Sequence, residues 1–151
     1  MSILARSRNA ESGVFRGYRM GQPAAIEGSM IVAVDTHIVM IPSPGGPVPT
    51  PLPAPFSGQI NGGTIASVKI MGKPAAVVGS TADNMPQHIP SGGPFQTQPQ
   101  DKGTVEMGSA TVKIGGKAAA RNLDPATTCD DIAPTALKGQ IIAAGTVMIG
   151  G

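Results

Sequence analysis

The chain has 151 residues, 21 of them glycine and 15 proline, yet 40% are hydrophobic and only 13% charged. That balance excludes a disordered chain, which is poor in apolar and rich in charged residues, and the density of Gly and Pro excludes long helices. A net charge of +2 excludes a broadly basic nucleic-acid surface.

With no Trp, one Tyr and three Phe, the core is expected to be small and aliphatic rather than aromatic. No run of residues approaches the ~18 apolar positions of a membrane span. The first twenty residues hold no apolar segment of a signal peptide, so assembly in the cytoplasm is expected.

Residues 1–19 carry Arg6, Arg8, Arg16 and Arg19 and read as a solvated N-terminal arm. Residues 20–151 read as one domain, and an internal repeat organises it. Met20-Gly21-Gln22-Pro23-Ala24-Ala25-Ile26-Glu27-Gly28-Ser29 aligns with Met71-Gly72-Lys73-Pro74-Ala75-Ala76-Val77-Val78-Gly79-Ser80 at an offset of 51 residues. A third, more degraded copy runs from Gly115 to Asp124, 44 residues further on.

Between the first and second copies lies the run 42–56, in which seven of fifteen residues are proline. It is expected to be an extended, polyproline-like loop that acts as a spacer or covers a sheet edge. Pro90 to Lys102 reads as a second, polar loop. Val68-Lys69-Ile70 precedes the second copy and Val112-Lys113-Ile114 the third. The alternation there predicts half-buried strands, and the Met-Gly or Gly-Gly that follows predicts a tight turn. Val147-Met148-Ile149-Gly150-Gly151 repeats the strand and the start of the turn at the chain end.

Each copy therefore reads as a β-hairpin. A single hairpin cannot bury a face, but three packed about a pseudo-threefold axis share one narrow core. The predicted class is all-β. The strands Val68–Ile70 and Gly145–Ile149 are candidates for strand addition to a partner.

The repeat also places the chemistry. His37 lies nine residues after Gly28, and His88 lies nine after Gly79. Cys129, the only cysteine, lies six after Leu123, where the third copy replaces the glycine. Internal disulfides are excluded, which leaves a metal as the staple. Two imidazoles and a thiolate form a partial shell for zinc, with iron as the alternative. The fourth place stays open among Met85, at the matching six-position of the second copy, a carboxylate of Asp83, Asp130 or Asp131, and water. The competing reading is a small metal-dependent hydrolase in which one of those carboxylates is the general base. No HExxH, GxSxG or phosphate-binding loop is present to support catalysis.

The thrice-repeated signal, clearest over residues 68–80, resembles the PAAR-repeat family. Residues 41–51 resemble the Pro-rich insertion of a PAAR-like subgroup. The resemblance implies a small conical protein that caps the trimeric, VgrG-like central spike of a contractile injection system. Such systems include type VI secretion, phage-like tails and extracellular contractile particles. It implies one tip per trimer, a structural metal held by His37, His88 and Cys129, and no enzymatic activity. It also implies that effector cargo is carried in some cases, that the target membrane is met only on firing, and that the protein leaves the cell with the particle.

Overall fold

The structure is a computed structural model and describes residues 21–151; the arm expected over residues 1–19 lies outside them. The described residues form no helix, and the fold is all-β. The strands are β1 (Gln22–Pro23), β2 (Met30–Ile41), β3 (Val48–Gly62), β4 (Ile65–Ile70), β5 (Lys73–Ala75), β6 (Thr81–Asn84), β7 (Lys102–Val105), β8 (Lys113–Ile114), β9 (Lys117–Ala118), β10 (Pro125–Thr127), β11 (Gly139–Ile142) and β12 (Met148–Ile149). Three antiparallel ribbons, β1–β12, β4–β5 and β8–β9, accompany a closed barrel in the order β10-β11-β2-β3-β6-β7.

The ribbons share one register. Ile70 faces Lys73, Ile114 faces Lys117, and Ile149 faces Gln22. Their turns demand two successive left-handed residues, supplied by Met71-Gly72 (φ 52° and 82°) and Gly115-Gly116 (φ 59° and 81°). In the first copy the strand that faces Gln22–Pro23 is the C-terminal β12, so this ribbon is formed by strands from opposite ends of the described chain. Within the chain β12 pairs with β1 and β4 with β5, and as members of two-stranded ribbons each keeps its other edge.

Beyond the ribbons the backbone makes the same bonds three times. Ala25 N donates to Ala120 O, Ala120 N to Ala76 O, and Ala76 N to Ala25 O, at 2.9, 3.0 and 3.0 Å. These close a ring that only small side chains permit, and all three alanines are buried. Next, Ser29 Oγ, Ser80 Oγ and Asp124 Oδ2 accept the N–H groups of Ile26, Val77 and Arg121. The residue just before each acceptor is left-handed: Gly28, Gly79 and, in the third copy, Leu123 at φ 71°.

Each copy then contributes one hairpin to the barrel: β2–β3, β6–β7 and β10–β11. At the seams Ile60 faces Ala82, Val105 faces Ala126, and Ile141 faces Ile31. These six side chains and the three ring alanines make the main core. Burial of each Ile or Val contributes about 1.5–3 kcal/mol. Phe56 completes this core as its largest fully buried side chain, which corrects the expectation of a core without aromatics. Gly103 makes room for it, since a Cβ there would stand 3.1 Å from the ring.

The Pro-rich run is not a loop. Only residues 42–47 turn, and Val48–Gly62 is the longest strand of the protein. Pro49, Pro51, Pro53 and Pro55 sit at alternate positions, opposite Met40, Ile38, Thr36 and Val34. At these pairs the β2 groups point away from β3: Met40 N donates to Pro94 O, and Ile38 O accepts from Gln96 N. Each proline thus stands where the ladder needs no N–H from it. The missing donors fall along the outer side of β3, and over the proline stretch they blunt it as a template for further pairing.

Candidate metal centre

The inward face of β2 reads Ile31, Ala33, Asp35, His37, Val39, the two-residue period of a strand. The first two belong to the apolar core or pack against it. Asp35 and His37 carry the same face onward and are 0% and 1% exposed. By that height β6 has ended at Asn84 and β10 at Thr127, so the facing groups come from loops. These are His88, after β6, and Cys129, after β10.

Donor atoms of Asp35, His37, His88 and Cys129 all lie within 4.8 Å of one another. His37 Nε2 is 3.1 Å from His88 Nδ1. Cys129 Sγ is 3.8 Å from the former, 3.7 Å from the latter and 3.4 Å from Asp35 Oδ2. The edges of a tetrahedron with zinc-like bonds to nitrogen, oxygen and sulfur measure about 3.3–3.6 Å. The separations of 3.1–3.8 Å lie near those edges, so the four donors approach such a shell. Such a set offers one ion four donors from the protein.

The surrounding bonds select the right nitrogens. His37 Nδ1 stands 3.1 Å from Asp131 Oδ1, and that carboxylate accepts its proton, leaving Nε2 bare toward the cluster. His88 Nε2 donates to Pro55 O at 3.0 Å, while Nδ1 faces the cluster with Asp101 Oδ1 also 3.1 Å from it. The His88 backbone is fixed by Asp101 Oδ1, which also accepts Asn84 Nδ2. Thr128 Oγ1 donates to Asp35 Oδ1, turning Oδ2 toward the sulfur.

Burial pushes the Cys129 thiol up to about 12, aided by the charge of Asp35 and the thiol's hydrogen bond to it; the Asp101 backbone N–H works in the opposite sense. A divalent cation reverses this balance by favouring the thiolate. Asp130 serves differently. Burial raises its pKa, but the Lys138 ammonium and the N–H groups of Ala133 and Thr36 outweigh it and hold the carboxyl below its usual range. Its oxygens are occupied by Lys138 Nζ, Ala133 N and Thr36 N.

The structure therefore brings His37, His88 and Cys129 together with Asp35, while Met85 is 70% exposed with its N–H bonded to Ser57 O. Asp83 lies apart, paired with Lys102 and Asn61. Asp130 and Asp131 brace the site from behind. The residue that sequence reading missed is Asp35. The signal was available, because Asp35 lies two residues before His37 and so shares its strand face.

The PAAR motif model matches residues 40–130. The chain belongs to the PAAR-motif family. These are structural spike-tip proteins of contractile injection systems rather than an enzyme family. The matched stretch of this PAAR protein holds His88 and Cys129, while Asp35 and His37 lie just ahead of it on β2. Comparison with curated proteins and with solved structures gave no match.

Proposed function

We propose that this PAAR-motif protein is the tip that caps and sharpens the trimeric central spike of a contractile injection machine. One copy would sit on each trimer, and a zinc ion would be held by Asp35, His37, His88 and Cys129. The observation that carries the reading is the closed Ala25–Ala120–Ala76 ring. A single chain makes three near-equivalent arms about one axis, which matches the end of a homotrimer without further copies of itself.

The metal serves mechanics. It would tie β2 of the first copy to the loops that follow β6 and β10, so all three copies are joined above the core. A structural zinc adds folding free energy on the order of 10 kcal/mol, useful to a part that is driven through an envelope. Hydrolysis has no support from four inward-facing protein donors. Assembly in the cytoplasm and release with the particle follow from the same reading.

The deciding experiment is co-expression with a homotrimeric spike protein of a contractile injection system from the same organism, followed by native mass spectrometry. One chain and one metal per spike trimer is the expected composition. Three chains per trimer, or no association, would overturn the capping role.

A further inference from the structure

Asp101 is buried, 6% exposed, at a place where the repeat offers no precedent for a charge. Gly58, Gly103 and Gly139 face Ile31, Ala82 and Ala126 at matching points of the three barrel hairpins. Two residues before each glycine stand Phe56, Asp101 and Leu137. Only the second copy puts a carboxylate there. On burial such a group loses its water and needs hydrogen bonds in return.

Its partners lie at one loop. Asp101 Oδ1 accepts Asn84 Nδ2 at 3.1 Å and the His88 N–H at 3.0 Å, and it stands 3.1 Å from His88 Nδ1. The Asp101 carbonyl accepts the Asn84 N–H at 2.7 Å. Asn84 ends β6 and Lys102 begins β7, so the Asn84–Asp101 pair closes the base of the segment that carries His88. The residue is also left-handed, at φ 56°, one of three non-glycine residues so disposed among those described. That conformation is costly for a residue with a side chain and persists where other contacts hold it.

Asp35 and His37 need no such help, because the ladder of β2 places them. His88 and Cys129 lie outside the strands. The ring of His88 has one further anchor, Nε2 to Pro55 O. Asp101 acts on the sulfur as well, since its N–H favours the charged form of Cys129.

We infer that Asp101 is the positioning residue of the two loop-borne donors, holding His88 and Cys129 toward Asp35 and His37 without being a ligand itself. It stands outside the set of four whose donor atoms lie within 4.8 Å of one another, and two N–H groups already occupy its Oδ1. The inference rests on the metal centre proposed above and names what keeps its second and third copies in place.

The test uses the full chain, stripped of metal and reloaded with cobalt(II). Affinity is read by competition with a chelator, the shell by the visible spectrum, and folding by thermal melts. Asp101→Ala is expected to weaken cobalt binding by about 10–100-fold and to shift the visible bands. Asp101→Gly relieves the left-handed backbone but still lacks the carboxylate, and it should bind as poorly. Asp101→Asn keeps an oxygen acceptor and tolerates the same backbone. It should restore both spectrum and affinity to within a few-fold. Asp83→Asn, on the same pair of strands but with an exposed carboxylate, should change neither. Unaltered affinity and spectrum in Asp101→Ala and Asp101→Gly, or failure of both to fold with metal supplied, would make Asp101 a structural residue only and overturn the inference. Asp101→Asn as weak as Asp101→Ala, with altered bands, would make the carboxylate a ligand and overturn it in another way. No cobalt binding by the unaltered chain would overturn the metal centre and this inference with it.

Discussion

His37 Nδ1 lies 3.1 Å from Asp131 Oδ1, and the other oxygen of that carboxylate accepts the Ile38 N–H at 2.9 Å. One side chain thus fixes both the tautomer of the imidazole and the strand that carries it. A partner of this kind behind a ligating histidine is worth about 10–100-fold in metal affinity. Asp131→Asn is expected to weaken zinc binding within that range, measured by competition with a chromophoric chelator. The variant should remain folded when saturated with metal. Unchanged affinity would show that the carboxylate neither orients nor polarises the ring.

The donor set makes a distinct spectroscopic claim. With cobalt(II) in place of zinc, a tetrahedral centre with one thiolate should show intense visible bands and a near-ultraviolet sulfur-to-metal transition. Cys129→Ser is expected to remove the latter. Asp35→Asn should shift the visible bands and weaken binding. Met85→Leu should change neither spectrum nor stability by more than about 0.5 kcal/mol, as befits an exposed side chain. A Met85→Leu effect as large as that of Cys129→Ser would return the thioether to the shell.

How much of this was legible from sequence depended on the repeat. His37 and His88 were found because equivalent positions repeat, and their identity draws the eye. Asp35 was missed because its partner place in the second copy is Pro86, so the repeat gave no echo; the two-residue strand period was the signal to use. The proline run was misread for a related reason. Prolines at 49, 51, 53 and 55 look like a polyproline coil by count, but their spacing is that of a strand with one silent edge. The closing of the first ribbon by β12 joins the two ends of the described chain; its signal was Val147–Gly151, which repeats the strand ahead of the second and third copies.

Leu123 offers a test of the repeat at single-residue level. It holds φ 71° where the other copies have Gly28 and Gly79, and its side chain is half exposed. A left-handed non-glycine residue costs about 1–2 kcal/mol, partly offset by the entropy glycine loses on folding, about 0.5–1 kcal/mol. Leu123→Gly is therefore expected to be more stable than Leu123→Ala by about 0.5–1 kcal/mol in urea unfolding, the reverse of the order found in helices. Equal stability of the two variants would mean that the backbone does not hold this conformation in solution.

The closing strand should be the point where the fold is most easily undone. Ile149 is 6% exposed and packs with Ala24, Ala75, Ala119 and Ile70 in the second apolar cluster. Val147 O accepts Ala24 N at 2.9 Å. Gly150 O accepts both Ser109 Oγ and Arg121 Nη1, and Arg121 is in turn bonded twice through its guanidinium to Asp124. The last five residues thus link the first copy to the third. Ile149→Ala should cost about 2–4 kcal/mol through lost burial and a cavity. Removal of residues 147–151 should cost more, because it also orphans the Ala24 N–H and exposes the ends of all three ribbons. Urea unfolding of the metal-loaded protein measures both, and the midpoint should fall in the order intact chain, Ile149→Ala, truncated chain. The truncated chain should still bind metal when folded, since the four donors lie on the far side of the barrel core from β12. A truncated chain with an unchanged midpoint and slope would show that the first ribbon is closed by some other segment.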